Sequence, residues 1–151
     1  MVFLFFGFVS VLGVFSLFGL TFEWLTILPA ITIGSWSAAV LNLNNMRDVS
    51  NDEASGKRTM VVKMGYNRSK YYHVTLIFVG LFSWLILVSI FIFITYSLSP
   101  LLALLPALII PGHLKKLLSV NHPSALDGEL KKVALLTFFS SILFSLALLI
   151  V

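Results

Sequence analysis

The densest chemistry in this 151-residue chain lies in one polar stretch, NNMRDVSNDEASGKRT, at residues 44–59. Asp48 and Asp52 are spaced i, i+4, so on a helix their carboxylates leave one face a turn apart, with Cβ atoms roughly 5–6 Å from each other. Two like charges so placed repel, and their coexistence points to a divalent cation beside them. Mg²⁺ suits the pair, because it binds through one or two carboxylates and completes its shell with water and phosphate oxygens. The chain has no Cys and no His near these positions, which argues against a zinc centre. Arg47 precedes the first aspartate, and Lys57, Arg58 and Thr59 follow Gly56. They offer a guanidinium fork, an ammonium and a hydroxyl on a turn, groups that clamp phosphate oxygens. Asn44 and Asn45 add amide donors and acceptors where an apolar helix meets water. The pattern predicts a ligand that is both phosphorylated and lipid-like. Glu53 lies on another face from Asp48 and reads as a solvated charge. The plain alternative is an ordinary inner loop whose bases only orient the protein in a membrane. Two aspartates one turn apart, flanked by bases, are more specific than orientation requires.

The elements that must carry this stretch are apolar helices. Hydrophobic residues make up 59% of the chain, charged ones 11%, and the mean hydropathy is +1.04, which excludes an ordinary soluble domain. The spacing of apolar runs predicts an all-α, polytopic bundle of five membrane spans in a single domain, at about 2–20, 24–43, 72–96, 100–117 and 133–151. The first run has no Lys or Arg ahead of it and no small-residue cleavage site behind it, so it reads as a span rather than a signal peptide. Pro29 and Gly34 fall inside the second, as membrane helices tolerate. Pro100, Pro106 and Pro111 punctuate the fourth. Polar loops are predicted at 44–70 and 118–132.

All ten Lys and Arg residues fall in or beside those two loops. The positive-inside rule makes both cytoplasmic, which in turn requires the Pro-rich fourth run to cross. This distribution follows topology and argues against a nucleic-acid-binding face. Lys63, Arg68 and Lys70 read as topology and headgroup contacts. Trp24, Trp36, Trp84 and the Tyr71–Tyr72 pair read as interfacial anchors or packing residues. His73, His113 and His122 stand singly at different loop edges without metal-site spacing, and read as interfacial.

The run N-N-x-R-D-x-x-x-D-x-x-x-G-K-R-T, followed by Val61, Val62, Met64 and Gly65, resembles the second aspartate-rich motif of the UbiA-type intramembrane prenyltransferases. Its paired Asn residues and GKRT ending are most similar to the 1,4-dihydroxy-2-naphthoate polyprenyltransferases of menaquinone biosynthesis. The resemblance implies a helical bundle around a cavity open to lipid, in a bacterial inner membrane. It implies Mg²⁺, a polyprenyl diphosphate donor and 1,4-dihydroxy-2-naphthoate as acceptor. Diphosphate departure would leave an allylic cation that the electron-rich ring attacks, with loss of carboxylate. Carried onto this chain, Asp48 and Asp52 would be the catalytic Mg²⁺ ligands, and Asn45, Arg47, Lys57 and Arg58 would contact the diphosphate.

One departure from the family pattern is large. Such enzymes have about nine spans and a first motif of the NDxxD type, whereas this chain shows five expected spans and no such motif. It resembles the C-terminal half, which implies a missing N-terminal half as partner and no turnover by this part alone. The rival reading from another class is a non-catalytic membrane subunit, or a lipid-binding protein, whose basic loop holds anionic headgroups.

Overall fold

The computed structural model describes residues 1–20, 22–120 and 122–150. Asn121, within the second expected loop, and Val151, the expected end of the last span, lie outside them. All regular structure among the described residues is helical: α1 (Phe3–Leu17), α2 (Trp24–Arg47), α3 (Val49–Ala54), α4 (Met60–Met64), α5 (Tyr66–Thr95), α6 (Ser99–Ser119) and α7 (Asp127–Leu149), with a short 3₁₀ segment, Pro123–Leu126, ahead of α7. Of these, α2, α5, α6 and α7 are long and apolar enough to cross a membrane, and α1 is a shorter apolar helix. The chain is a multi-pass helical membrane bundle.

α1 ends early because Gly19 adopts a positive φ of 68°. The Leu20 N–H then returns to the Phe15 carbonyl and the Gly19 N–H to that of Ser16, a Schellman closure. The prolines act on α6. Its first half, Ser99–Ile109, winds as a 3₁₀ helix with Pro106 inside it, and regular α-helix follows only from Ile110. A proline supplies no N–H and crowds the preceding turn, so the α ladder cannot form there.

α2 and α5 form the centre. Gly80 of α5 lets the Trp36 indole lie directly on the helix backbone, where an added Cβ would stand 2.4 Å from Trp36 Nε1. That nitrogen donates to the Ile77 carbonyl at 3.3 Å, so the buried indole keeps its partner. Thr32 donates to the Gly80 carbonyl at 3.2 Å and Ser83 to that of Leu28 at 2.9 Å, further bonds between α2 and α5 in a setting without competing water. Trp84 donates to Ala103 of α6 at 3.1 Å and stacks at a tilt on Phe144 of α7, their ring centroids 5.1 Å apart. Trp36 and Trp84 are therefore packing residues, while Trp24 is exposed.

The expected loop 44–70 is mostly helical. α2 runs on to Arg47, α3 and α4 follow, and α5 begins at Tyr66. Polarity here marks the water side of the bundle rather than an absence of helix.

Candidate functional site

Asn44, Asn45 and Arg47 sit on the last turn of α2, and Asp48 stands at the break before α3. The break is slight. The Asp48 N–H donates to Asn44 and the Asp52 N–H to Asp48, at 3.0 and 2.9 Å, so the helical ladder carries through and the aspartates lie one turn apart. α3 then closes at Gly56, whose φ of 70° suits a residue without Cβ. The Gly56 N–H bonds the Glu53 carbonyl and the Lys57 N–H bonds that of Asp52, at 3.1 and 2.9 Å. This turn brings the Lys57 side chain back over α3, with Nζ 3.0 Å from Asp52 Oδ1.

The two carboxylates differ in setting. Asp48 is partly open, its side chain 34% exposed, and Arg47 grips it from beside. Asp52 is buried, at 5% exposure, beneath Lys57. Hydrogen bonds from the Arg47 guanidinium hold the Asp48 carboxyl below its ordinary range, with attraction to Arg47 and Lys57 adding to the effect against a smaller desolvation cost. Arg47 is a hub: it also donates to Asn44 Oδ1 at 2.9 Å and to Asp127 Oδ1 at 3.2 Å.

The other expected contacts divide. Arg58 is exposed on the turn after Gly56. Asn45 faces a cavity of about 290 Å³ shared with Asn42, Met60 and Tyr72. Asn44 stands at a separate, larger groove of about 470 Å³, whose other walls include Phe6, Val40, Leu41, Leu130 and Ala134. Thr59, expected as a free hydroxyl, is the N-cap of α4 and accepts from the Val62 N–H at 3.3 Å.

Carboxylates and carboxamides at one helix end form a hard oxygen donor set, the chemistry Mg²⁺ prefers. Asp48 and Asp52 are the residues that could hold such an ion. Among the described residues no group of three or more His, Cys, Asp or Glu is arranged for a metal. Oxygens from a ligand would therefore have to complete the shell. Each carboxylate already faces a cation of the chain, so an incoming ion must displace or share with Arg47 and Lys57. With an apolar groove beside Asn44, the arrangement can receive an anionic head with an apolar tail.

Sequence reasoning missed several residues. Asp127 reaches Arg47 across 80 positions and has no local signal. Lys70, read as a headgroup contact, is buried and donates to the Leu118 and Val120 carbonyls at the end of α6. His73 and His113, read as separate interfacial residues, are buried and in contact, and Glu129 joins them. The matching pentapeptides GHLKK at 112–116 and GELKK at 128–132 were the available signal, since they set His113 and Glu129 at corresponding places.

A family model described as the UbiA prenyltransferase family matches residues 1–143. The 1,4-dihydroxy-2-naphthoate octaprenyltransferase of Haemophilus influenzae is 32% identical over 149 residues, which cover 99% of this chain and 47% of that protein. The protein of the same name from Escherichia coli is 32% identical over 148 residues, 97% of this chain and 47% of its own length. Its namesake from Mycobacterium tuberculosis is 38% identical over 69 residues, 46% of this chain and 24% of its own. The chain spans about half the length of the first two. No solved structure matches it.

Proposed function

Since the chain belongs to the UbiA prenyltransferase family, we propose that it supplies one side of a site that transfers a polyprenyl chain from polyprenyl diphosphate to 1,4-dihydroxy-2-naphthoate in menaquinone biosynthesis. The observation that carries this reading is the pair Asp48 and Asp52, one turn apart at the water end of an apolar helix, each faced by a cation of the chain.

In this proposal Asp48 and Asp52 hold Mg²⁺, which when bound would neutralise charge on the departing diphosphate. Arg47 and Lys57, now spent on the two carboxylates, become free to take phosphate oxygens as the ion takes their place. Arg58, exposed on the same turn, and Asn45 add further contacts to the head group. The groove beside Asn44, walled by Phe6, Val40, Leu41 and Leu130, supports an apolar tail lying along the bundle. The relatives are about twice as long, which supports a complementary half that contributes the other side of the clamp. On this reading the chain by itself binds donor and does not turn it over. Both basic loops then face the cytoplasm across a bacterial inner membrane.

The test is prenyl transfer to 1,4-dihydroxy-2-naphthoate in membranes carrying this chain together with the complementary half of a relative. The expected result is transfer that D48A/D52A abolishes. Undiminished turnover by the double variant would refute the assignment. A second reading, binding of anionic lipid headgroups, draws on the exposed Arg58, Lys63 and Arg68. It is distinguished by affinity that follows lipid charge and salt but ignores Mg²⁺.

A further inference from the structure

Lys116 of α6 and Lys132 of α7 meet over one carboxylate at the water end of the bundle. Their Nζ atoms lie 3.2 and 2.8 Å from the same oxygen, Glu129 Oε1. Glu129 is buried, whereas the two lysine side chains are 48% and 45% exposed. Two ammonium groups on one carboxylate leave one positive charge in excess. Each ammonium carries three donors and spends one on Glu129, so both keep N–H groups for a further acceptor. The shared oxygen fixes them as a cationic fork.

A groove of about 340 Å³ runs from this fork between the same two helices. Lys132 forms its upper end, and its walls include Pro106 and Ile109 of α6 with Leu135, Phe139 and Leu143 of α7. Leu135 and Phe139 stay exposed within it, so the groove opens sideways. Its backbone suits hydrocarbon: Pro106 brings no N–H, and the Ala103 carbonyl that a 3₁₀ turn would pair with it accepts from Trp84 at 3.1 Å instead. From Lys132 to Leu143, α7 rises about 16 Å at 1.5 Å per residue. That is close to half of the about 30 Å of hydrocarbon in a bilayer, the depth of one leaflet. Leu130, Ala134 and Thr137 line the groove beside Asn44 from the opposite flank of α7.

We propose that the α6–α7 groove binds one anionic phospholipid, with the head-group phosphate on Lys116 and Lys132 and an acyl chain along Pro106, Leu135 and Phe139. Charge selects the occupant. A zwitterionic head brings its own cation to the fork, whereas an anionic head does not, and a soluble anion leaves the apolar length of the groove uncovered. Bases near a membrane surface attract anionic heads in general. Here two of them are fixed by Glu129 and continue into a groove one leaflet deep, which makes a site of them. It is separate from the exposed Arg58, Lys63 and Arg68, and it does not depend on the donor-binding reading above.

Photolabelling of the 151-residue chain in phosphatidylcholine nanodiscs tests it, with traces of phosphatidylglycerol or phosphatidylcholine carrying a diazirine in the acyl chain. The phosphatidylglycerol probe should label the groove walls roughly fivefold more than the phosphatidylcholine probe, the order expected of one net positive charge at a lipid head. Unlabelled phosphatidylglycerol should compete and inorganic phosphate should not. K116Q/K132Q should lose the preference, and K115Q/K131Q, which leaves the fork intact, should keep it. Equal labelling by the two probes would overturn the proposal. So would displacement by inorganic phosphate, which would mark a free-anion site, or equal loss in K115Q/K131Q, which would mark surface charge alone. The wild-type labelling decides even if K116Q/K132Q does not fold.

Discussion

Arg47 holds the carboxylate of its neighbour Asp48 by two parallel bonds, Nε to Oδ1 at 2.8 Å and Nη2 to Oδ2 at 3.0 Å. A planar fork makes this contact and an ammonium cannot. Once the ion has taken its place on Asp48, Arg47 turns the same fork to the diphosphate; Arg47→Lys keeps the charge but loses the second bond to phosphate, and Mg²⁺-dependent binding of a polyprenyl diphosphate should weaken about tenfold, with Arg47→Ala weaker still. Asp127→Ala removes only a contact whose carboxylate side chain is 70% exposed, so its effect should stay below about 1 kcal/mol. Equal losses from Arg47→Lys and Asp127→Ala in a titration would contradict this ranking.

The Arg47 bonds also set a pH dependence. They lower the Asp48 carboxyl below its ordinary 3.8. A group depressed in this way contributes stability above its ordinary pKa and loses it only as pH falls through the lowered value. Donor binding measured between about pH 5 and pH 8 should therefore show no step belonging to Asp48. A midpoint inside that window that vanishes in Asp48→Asn would show the pairing to be weaker than described.

Gly80→Ala tests the centre of the bundle. The new methyl would meet the Trp36 ring at 2.4 Å from Nε1, forcing the indole off the Ile77 carbonyl. Overpacking of this kind costs about 1–3 kcal/mol, read as a lower unfolding midpoint in detergent. Gly128→Ala, where nothing stands within 4 Å of the added carbon, should be silent by comparison.

Glu129→Gln leaves Lys116 and Lys132 without their shared counter-charge and takes from His113 Nδ1 the carboxylate oxygen 2.7 Å away. Removing one partner from a buried pair costs about 3–5 kcal/mol, so thermal unfolding should shift far more than for exposed Glu53→Gln, which should stay within about 0.5 kcal/mol. Similar midpoints for the two variants would mean that Glu129 carries no such role.

What could be read from the sequence was local or one-dimensional. The long apolar runs announced membrane helices, and the Asp48–Asp52 spacing survives because it is one helical turn, whatever the rest of the bundle does. The Gly56 turn was visible as a breaker, but its result, Lys57 folded back onto Asp52, depends on a backbone closure that composition does not express. Asp127 against Arg47, Lys70 on the end of α6 and the His73–His113–Glu129 array were hidden for another reason. Hydropathy tells which helices cross but not how each is rotated, and these contacts exist only once four helices have chosen their facing sides. Polarity likewise misled over 44–70, where water exposure coexists with helix because α3 and α4 have their own caps at Gly56 and Thr59.

The central claim is that Asp48 and Asp52 bind a diphosphate through Mg²⁺. Its most direct test is the affinity of the 151-residue chain, in nanodiscs of zwitterionic lipid, for a polyprenyl diphosphate with Mg²⁺ and with chelator. The expected result is at least tenfold tighter binding with Mg²⁺, about 1.4 kcal/mol, and loss of that difference in Asp48→Asn/Asp52→Asn. Binding that is the same with and without Mg²⁺, and that falls away only with added salt, would contradict it.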